Sequence, residues 1–289
     1  MAEVRCAGGV FGYDEAGGGP GGDTVVLIHA GIADRRMWDH QFAALAKTHR
    51  VIRYDWRGYG ESAHPAEAYA HHRDLLALLD ALEVRRAALV GCSMGGSFAL
   101  EAALAAPERV TAVVAICSGL SGRPWPQEMI DQARERVHHH VPAERLAEYR
   151  AGRTTAQLAR DAAVTAQAHI AWMVAGPGRD RSALDPAVWE RSVLMYREHL
   201  ERSWSGEHPQ SQELPPDPPP GERLSQLAVP TLVINGAADV PQIQEVSRLL
   251  AREVRDARFL ELPETGHLPP LERPAEVTAA IGEFLAGQR

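Results

Sequence analysis

The sequence predicts an α/β fold: a mostly parallel β-sheet with helices on both faces, interrupted by an inserted helical lid. Short apolar runs rich in branched residues alternate with longer stretches of helical periodicity, the pattern expected when helices cover both faces of a parallel sheet. A glycine-flanked segment, Gly91-Cys92-Ser93-Met94-Gly95, joins one apolar run directly to a helix-like stretch. The texture changes near Ser118, is mainly helical from Arg123 to about His208, and then gives way to a proline-rich segment over 214–220. The chain therefore divides into a first core part over 1–120, a lid with its return segment over 121–220, and a second core part over 221–289.

The expected strands are 24–28, 50–54, 88–90, 110–116, 231–234 and 257–262, all short and dense in valine, isoleucine and leucine or aromatic residues. Before the third of them, Leu75, Leu76, Leu78, Leu79 and Leu82 form one broad apolar helix face, while Asp74, Asp80 and Glu83 occupy other positions. A second helix runs from Met94 through an alanine-rich stretch that lets it pack closely on the sheet, and Pro107 marks its end. In the lid, Trp125, Trp172, Met173, Trp189, Met195 and Tyr196 are scattered over helical sequence. The prolines between 215 and 220 cannot donate to a ladder, so they suit an extended connection outside the sheet. An amphipathic helix over 274–287 closes the chain.

With 289 residues and 45% hydrophobic content the chain can bury a full layered core. Its 38 acidic against 30 basic residues give a net charge of -8, which disfavours nonspecific attraction to nucleic acid or to an anionic membrane. Cys6, Cys92 and Cys117 cannot all pair and show no CxxC or Cys/His spacing, so free thiols in the cytoplasm and no metal site are expected. The first residues lack a basic segment followed by an apolar one, and no run of 18 apolar residues occurs, so neither secretion nor membrane spanning is expected.

Ser93 sits where a sharp strand-to-helix turn would lift its hydroxyl above the sheet, and small residues at 91 and 95 are what such a turn requires. Asp239 follows the 231–234 strand and His267 follows the last one. Parallel strands bring their carboxyl ends to one edge, so the three residues can meet there although they are far apart in sequence. Taken singly, Asp239 and His267 could be a turn cap and an exposed loop residue. Their order, each just after a strand, points to Ser93 as nucleophile, neutral His267 as base and ionised Asp239 as the acid that orients it. The backbone N–H groups of Met94 and Gly31 are the expected donors to the negative substrate oxygen, each contributing roughly 3 kcal/mol in the transition state.

On His29-Ala30-Gly31 with Trp38, Asp55-Trp56-Arg57-Gly58-Tyr59-Gly60-Glu61-Ser62, Gly91-Cys92-Ser93-Met94-Gly95-Gly96, Gly236-Ala237-Ala238-Asp239 and Gly266-His267, the chain resembles the α/β-hydrolase fold superfamily, in its lidded esterase, lactonase and cofactor-free haloperoxidase-like group. The resemblance covers nearly the whole chain outside the lid and implies the same nucleophile, acid, base and oxyanion backbones. The family more often has His-Gly in the first loop, where this chain has His29-Ala30 followed by Gly31. Arg57 and Asp55 are expected to hold loops by polar contacts, Tyr59 to shape the pocket, and His138, His139 and His140 to lie on a solvated lid face.

The expected activity is cofactor-free hydrolysis of a small carboxylic ester or lactone through an acyl-enzyme, with water as second substrate. Trp125, Trp172, Met173, Trp189 and Met195 are candidate pocket residues and suggest an apolar or aromatic substrate portion. Two alternatives stay open: a nonhydrolytic carbon-carbon lyase, acyltransferase or cyclase on the same scaffold, and a ligand-binding or protein-interaction relative without turnover. A homo-oligomer is compatible with the sequence and is not specified by it.

Overall fold

The computed structural model describes residues 2–18, 23–206, 208 and 211–288. Along the chain lie β1 (Ala2–Cys6), β2 (Gly9–Ala16), β3 (Thr24–Ile28), α1 (Asp39–Leu45), β4 (Arg50–Tyr54), α2 (His71–Ala81), β5 (Ala87–Cys92), α3 (Met94–Ala105) and β6 (Val110–Ile116). A helical insertion follows, with α4 (Gln127–Arg136), α5 (Ala143–Arg150), α6 (Leu158–Ile170) and α7 (Pro186–Trp204). The second core part contains β7 (Thr231–Gly236), α8 (Pro241–Glu253), β8 (Ala257–Leu262), α9 (Pro269–Glu272) and α10 (Pro274–Ala286).

The strands form one eight-stranded sheet in the order β1-β2-β4-β3-β5-β6-β7-β8. β3 to β8 are parallel, and β1 and β2 add an antiparallel edge that the sequence reading did not anticipate. Alternation along each strand sorts the core into two layers. Val25, Leu27, Val90 and Ile234 face one layer with α10 residues such as Val277 and Ile281, and Val26, Ile28, Leu89 and Val233 face the other with α2 and α3. In α2, Leu75, Leu78 and Leu79 are fully buried, and burial of each contributes about 1.5–3 kcal/mol. That outweighs the propensity cost of any single residue in the helix.

The insertion between β6 and β7 is a lid, with α7 its longest helix. α7 packs along α6, and its arginines tie it to the sheet domain: Arg191 donates to the Arg36 carbonyl at 2.7 Å and pairs with Asp39, while Arg202 reaches the carbonyls of Gly60 and Ser62. No helix among the described residues is long and apolar enough to cross a membrane.

The turn after β5 leaves no room for a side chain at two of its glycines. A Cβ added at Gly91 would collide with the Gly95 carbonyl, and one added at Gly95 would collide with the carbonyls of Ile28 and His29. Backbone on both sides leaves no room to yield. Gly91→Ala should therefore lower the unfolding free energy by about 2–3 kcal/mol or more in chemical denaturation. Gly282→Ala in α10, where a Cβ meets open space, should raise it by roughly 0.5–1 kcal/mol. Equal midpoints for the two variants would contradict this packing.

Candidate active site

Ser93 occupies the single residue between β5 and α3 and takes φ 56 and ψ -121, a conformation that costs a non-glycine residue on the order of 1–3 kcal/mol. Surrounding backbone enforces it. The Ser93 N–H donates to the Ile116 carbonyl at 2.9 Å, and the Ser93 carbonyl accepts from Gly96 and Gly119, each at 3.0 Å. The side chain is thereby presented at the carboxyl edge of the sheet, at the N-terminus of α3.

Parallel pairing aligns the other two loops with it. Cys92 pairs with Ile116, Ile116 with Ile234, and Gly236 with Leu262, so the loops leaving β5, β7 and β8 emerge side by side. Ser93 Oγ lies 2.8 Å from His267 Nε2, and His267 Nδ1 lies 2.7 Å from Asp239 Oδ2. His267 and Asp239 are each 1% exposed, so this pair sits in a medium where its attraction is little screened. The Asp239 Oδ1 accepts from the Val240 N–H at 2.6 Å, which fixes the carboxylate plane. With Nδ1–H donating to Asp239, the imidazole keeps Nε2 as the acceptor facing the Ser93 hydroxyl.

Two buried thiols brace these loops from beneath. The Cys117 Sγ accepts from the Gly236 N–H at 3.3 Å and lies 3.7 Å from the Gly266 carbonyl, while the Cys92 Sγ lies 3.6 Å from the His267 carbonyl. Burial pushes both thiols well above their usual pKa, so they act as neutral hydrogen-bonding groups. Ligating atoms of Cys117, Asp239 and His267 all lie within 4.8 Å of one another. The carboxylate and imidazole are already bonded to each other and the thiol is held protonated, a donor set ill suited to a metal ion.

Gly31 and Met94 border the same cavity as Ser93 and His267, and a Cβ on Gly31 would stand 3.0 Å from the Met94 sulfur. Met94 opens α3, where backbone N–H groups have no acceptor within the helix. The Tyr59 hydroxyl donates to the Gly31 carbonyl at 3.0 Å and so pins that loop. The neighbouring expectations for polar bracing have structural counterparts. Arg57 donates to both oxygens of Asp74, at 2.5 and 2.8 Å, and Asp55 accepts from the Arg35 N–H at 2.8 Å as well as pairing with its guanidinium.

The cavity has a volume of about 420 Å³. Trp125, Trp172 and Met173 line it, as does Tyr59. Trp189 and Met195 do not. Both face the buried core, with the Arg181 guanidinium 5.2 Å over the Trp189 ring, because the inward stripe of α7 runs through Trp189, Ser192 and Met195. Tyr196, one position further round the helix, reaches the cavity instead. His138 is exposed as expected yet stands on the cavity rim.

Sequence reasoning also missed His169 and Glu272. The spacing of His169 with Trp172 and Met173 was a usable signal, since residues three and four apart share a helix face. Glu272 carried none. From α9 its Oε2 accepts from Gly266 N–H at 2.8 Å and its Oε1 from Leu268 N–H at 3.1 Å, so one carboxylate clamps the backbone on both sides of His267.

Residues 25–281 match the family described as "Alpha/beta hydrolase family", and the chain belongs to that family. Among curated proteins it is 29% identical to a 2-hydroxymuconate semialdehyde hydrolase of Pseudomonas sp. strain CF600, covering 92% of this chain and 87% of that protein. It is 27% identical to the rhodomycin D methylesterase DnrP of Streptomyces peucetius, covering 93% of each. Among solved structures, a thermophilic esterase from Thermogutta terrifontis superposes with a TM-score of 0.73 at 25% identity, covering 99% of this chain and 98% of that one.

Burial, the largest influence, and the Asp239 charge raise the Glu272 pKa to about 7, against the lowering effect of its two N–H donors and Arg179. The folded chain therefore holds a proton that the unfolded chain has lost between its ordinary carboxyl pKa and about 7, so stability falls as pH rises through that window. Glu272→Gln should remove this part of the slope, on the order of 1–3 kcal/mol between pH of about 5 and 7.5, in urea unfolding at the two pH values. An unchanged slope would contradict it.

Proposed function

We propose that this protein is a serine hydrolase that cleaves a small carboxylic ester or lactone through an acyl-enzyme intermediate. The observation that carries this is the continuous line Ser93 Oγ, His267 Nε2, His267 Nδ1, Asp239 Oδ2, joined at 2.8 and 2.7 Å. The Ser93 oxygen attacks the carbonyl carbon while its proton passes to His267. Asp239 favours the imidazolium that forms. The proton then goes to the leaving oxygen as the carbon-oxygen bond breaks, leaving the acyl group on Ser93. A water molecule enters, gives its proton to His267 and attacks the acyl carbon, and the acid is released as the proton returns to Ser93.

The backbone N–H groups of Gly31 and Met94 receive the oxyanion in this reading. Their position on the cavity beside Ser93 and the start of α3 at Met94 support the assignment. The cavity volume suits a small-molecule substrate, and Met129, Ile130 and Ile243 in its wall favour an apolar acyl or alcohol portion.

Ser93→Ala and His267→Ala should each lower kcat/KM on an aryl ester by at least about 10³-fold, with circular dichroism spectra like the parent's. Asp239→Asn should cost severely as well, since the wrong imidazole tautomer would face the serine. Hydrolysis that is nearly unchanged in the serine variant would sink the assignment.

A further inference from the structure

In the proposed mechanism the Gly31 N–H receives the oxyanion. Gly31 has no side chain to restrict its backbone, so that N–H keeps one direction only if the peptide units on both sides are held. On one side the Ala30 carbonyl accepts from the Ala33 N–H at 3.1 Å. On the other the Gly31 carbonyl accepts from the Tyr59 hydroxyl at 3.0 Å. Tyr59 comes from the loop after β4, so its hydroxyl needs an anchor of its own. A phenol oxygen lies on the axis of its ring. Turning the ring in place leaves the oxygen where it is, and only a swing of the whole side chain moves it.

Two other rings resist that swing. The Trp56 ring centre, from the same loop, stands 4.1 Å from that of Tyr59 at an interplanar angle of 31°. The His199 ring, from the lid helix α7, stands 3.8 Å away and nearly parallel, at 6°. Close stacking of this kind limits the movement of either partner. Arg202, three residues further along the same face of α7, bonds to the carbonyls of Gly60 and Ser62, so the helix that carries His199 is itself tied to the Tyr59 loop. Burial, with lesser effects of His29, His64 and Arg202, pushes the His199 pKa down to about 3. The ring is therefore neutral and acts by its flat surface, not by charge.

We propose that His199 is a positioning residue for the oxyanion site: stacked on Tyr59, it keeps the Tyr59 hydroxyl on the Gly31 carbonyl and so aims the Gly31 N–H at the negative oxygen of the tetrahedral intermediate. The inference rests on the reading of Ser93 as nucleophile and of Gly31 as oxyanion donor. It makes the lid a participant in the chemical step, because the donor is held in its productive direction only with α7 in place.

The test compares His199→Leu, Tyr59→Phe and the double variant in hydrolysis of one aryl ester. Two inhibitors of the same chain length accompany it: a trifluoromethyl ketone, whose carbonyl carbon takes the Ser93 oxygen and leaves a negative oxygen, and the matching secondary alcohol, which binds without reacting. Each single substitution should lower kcat by about tenfold, part of the roughly 10²–10³ that a lost donor costs, with KM within about threefold of the parent's. The trifluoromethyl ketone should bind more weakly by the same factor, and the alcohol should bind as before. In the Tyr59→Phe background, His199→Leu should cost no more than about twofold further, since its route through the hydroxyl is already cut. His199→Phe, which keeps a ring against Tyr59, should stay within about threefold of the parent. No loss in either single variant, a loss confined to KM, losses that multiply in the double variant, or equal losses in His199→Phe and His199→Leu overturn the positioning role. Ester cleavage that depends on Ser93 would then leave the hydrolase reading standing. Absence of all ester cleavage, or cleavage that persists in Ser93→Ala, would remove that reading and the positioning role with it.

Discussion

The left-handed backbone of Ser93 is the constraint on which the rest of the structure depends. A serine at φ 56 is strained, and it persists because Ile116, Gly96 and Gly119 hold its peptide groups from three directions. The same turn forces glycine at 91 and 95, since α3 must run against the backbone of β5 and of the loop after β3. Strain here has a chemical use. It aims one hydroxyl at the edge of the sheet, at the start of a helix whose free N–H groups favour negative charge.

The lid is coupled to the base loop by packing as well as by the shared cavity. The π-helical turn Ala171–Ala175 carries Trp172 and Met173 into the cavity wall, and its Val174 carbonyl abuts Gly266 so closely that no side chain fits there. Gly266 in turn is held by Glu272, which clamps the His267 loop from the other side. The residues that shape the substrate space therefore bear directly on the residue that moves the proton. Arg191 and Arg202 fasten the far side of the lid to the core, which sets the orientation of α7 and of Tyr196 within it.

The parallel core strands were legible in the sequence because burial on both faces leaves continuous branched apolar runs, as in 24–28 and 110–116. The β1–β2 edge was not. Ala2–Cys6 is largely exposed and Gly9–Ala16 mixes glycine, aspartate and glutamate with its apolar residues, so neither has the signature of a buried strand. The meeting of Ser93, Asp239 and His267 was legible from order and position alone, because parallel topology converts a strand end into a place. The lid resisted the same treatment. Tryptophan and methionine serve equally as core and as cavity lining, and one step of about 100° around α7 separates buried Met195 from cavity-lining Tyr196. Glu272 acts on backbone N–H groups, a role that leaves no pattern in residue types.

A fluorophosphonate, applied to the native protein at neutral pH with the modified peptide mapped by mass spectrometry, reads whether Ser93 Oγ is an activated nucleophile. One phosphonyl group per chain, on Ser93, is expected. Labelling at another residue, or an unmodified Ser93 peptide under conditions that saturate a control serine hydrolase, would contradict it.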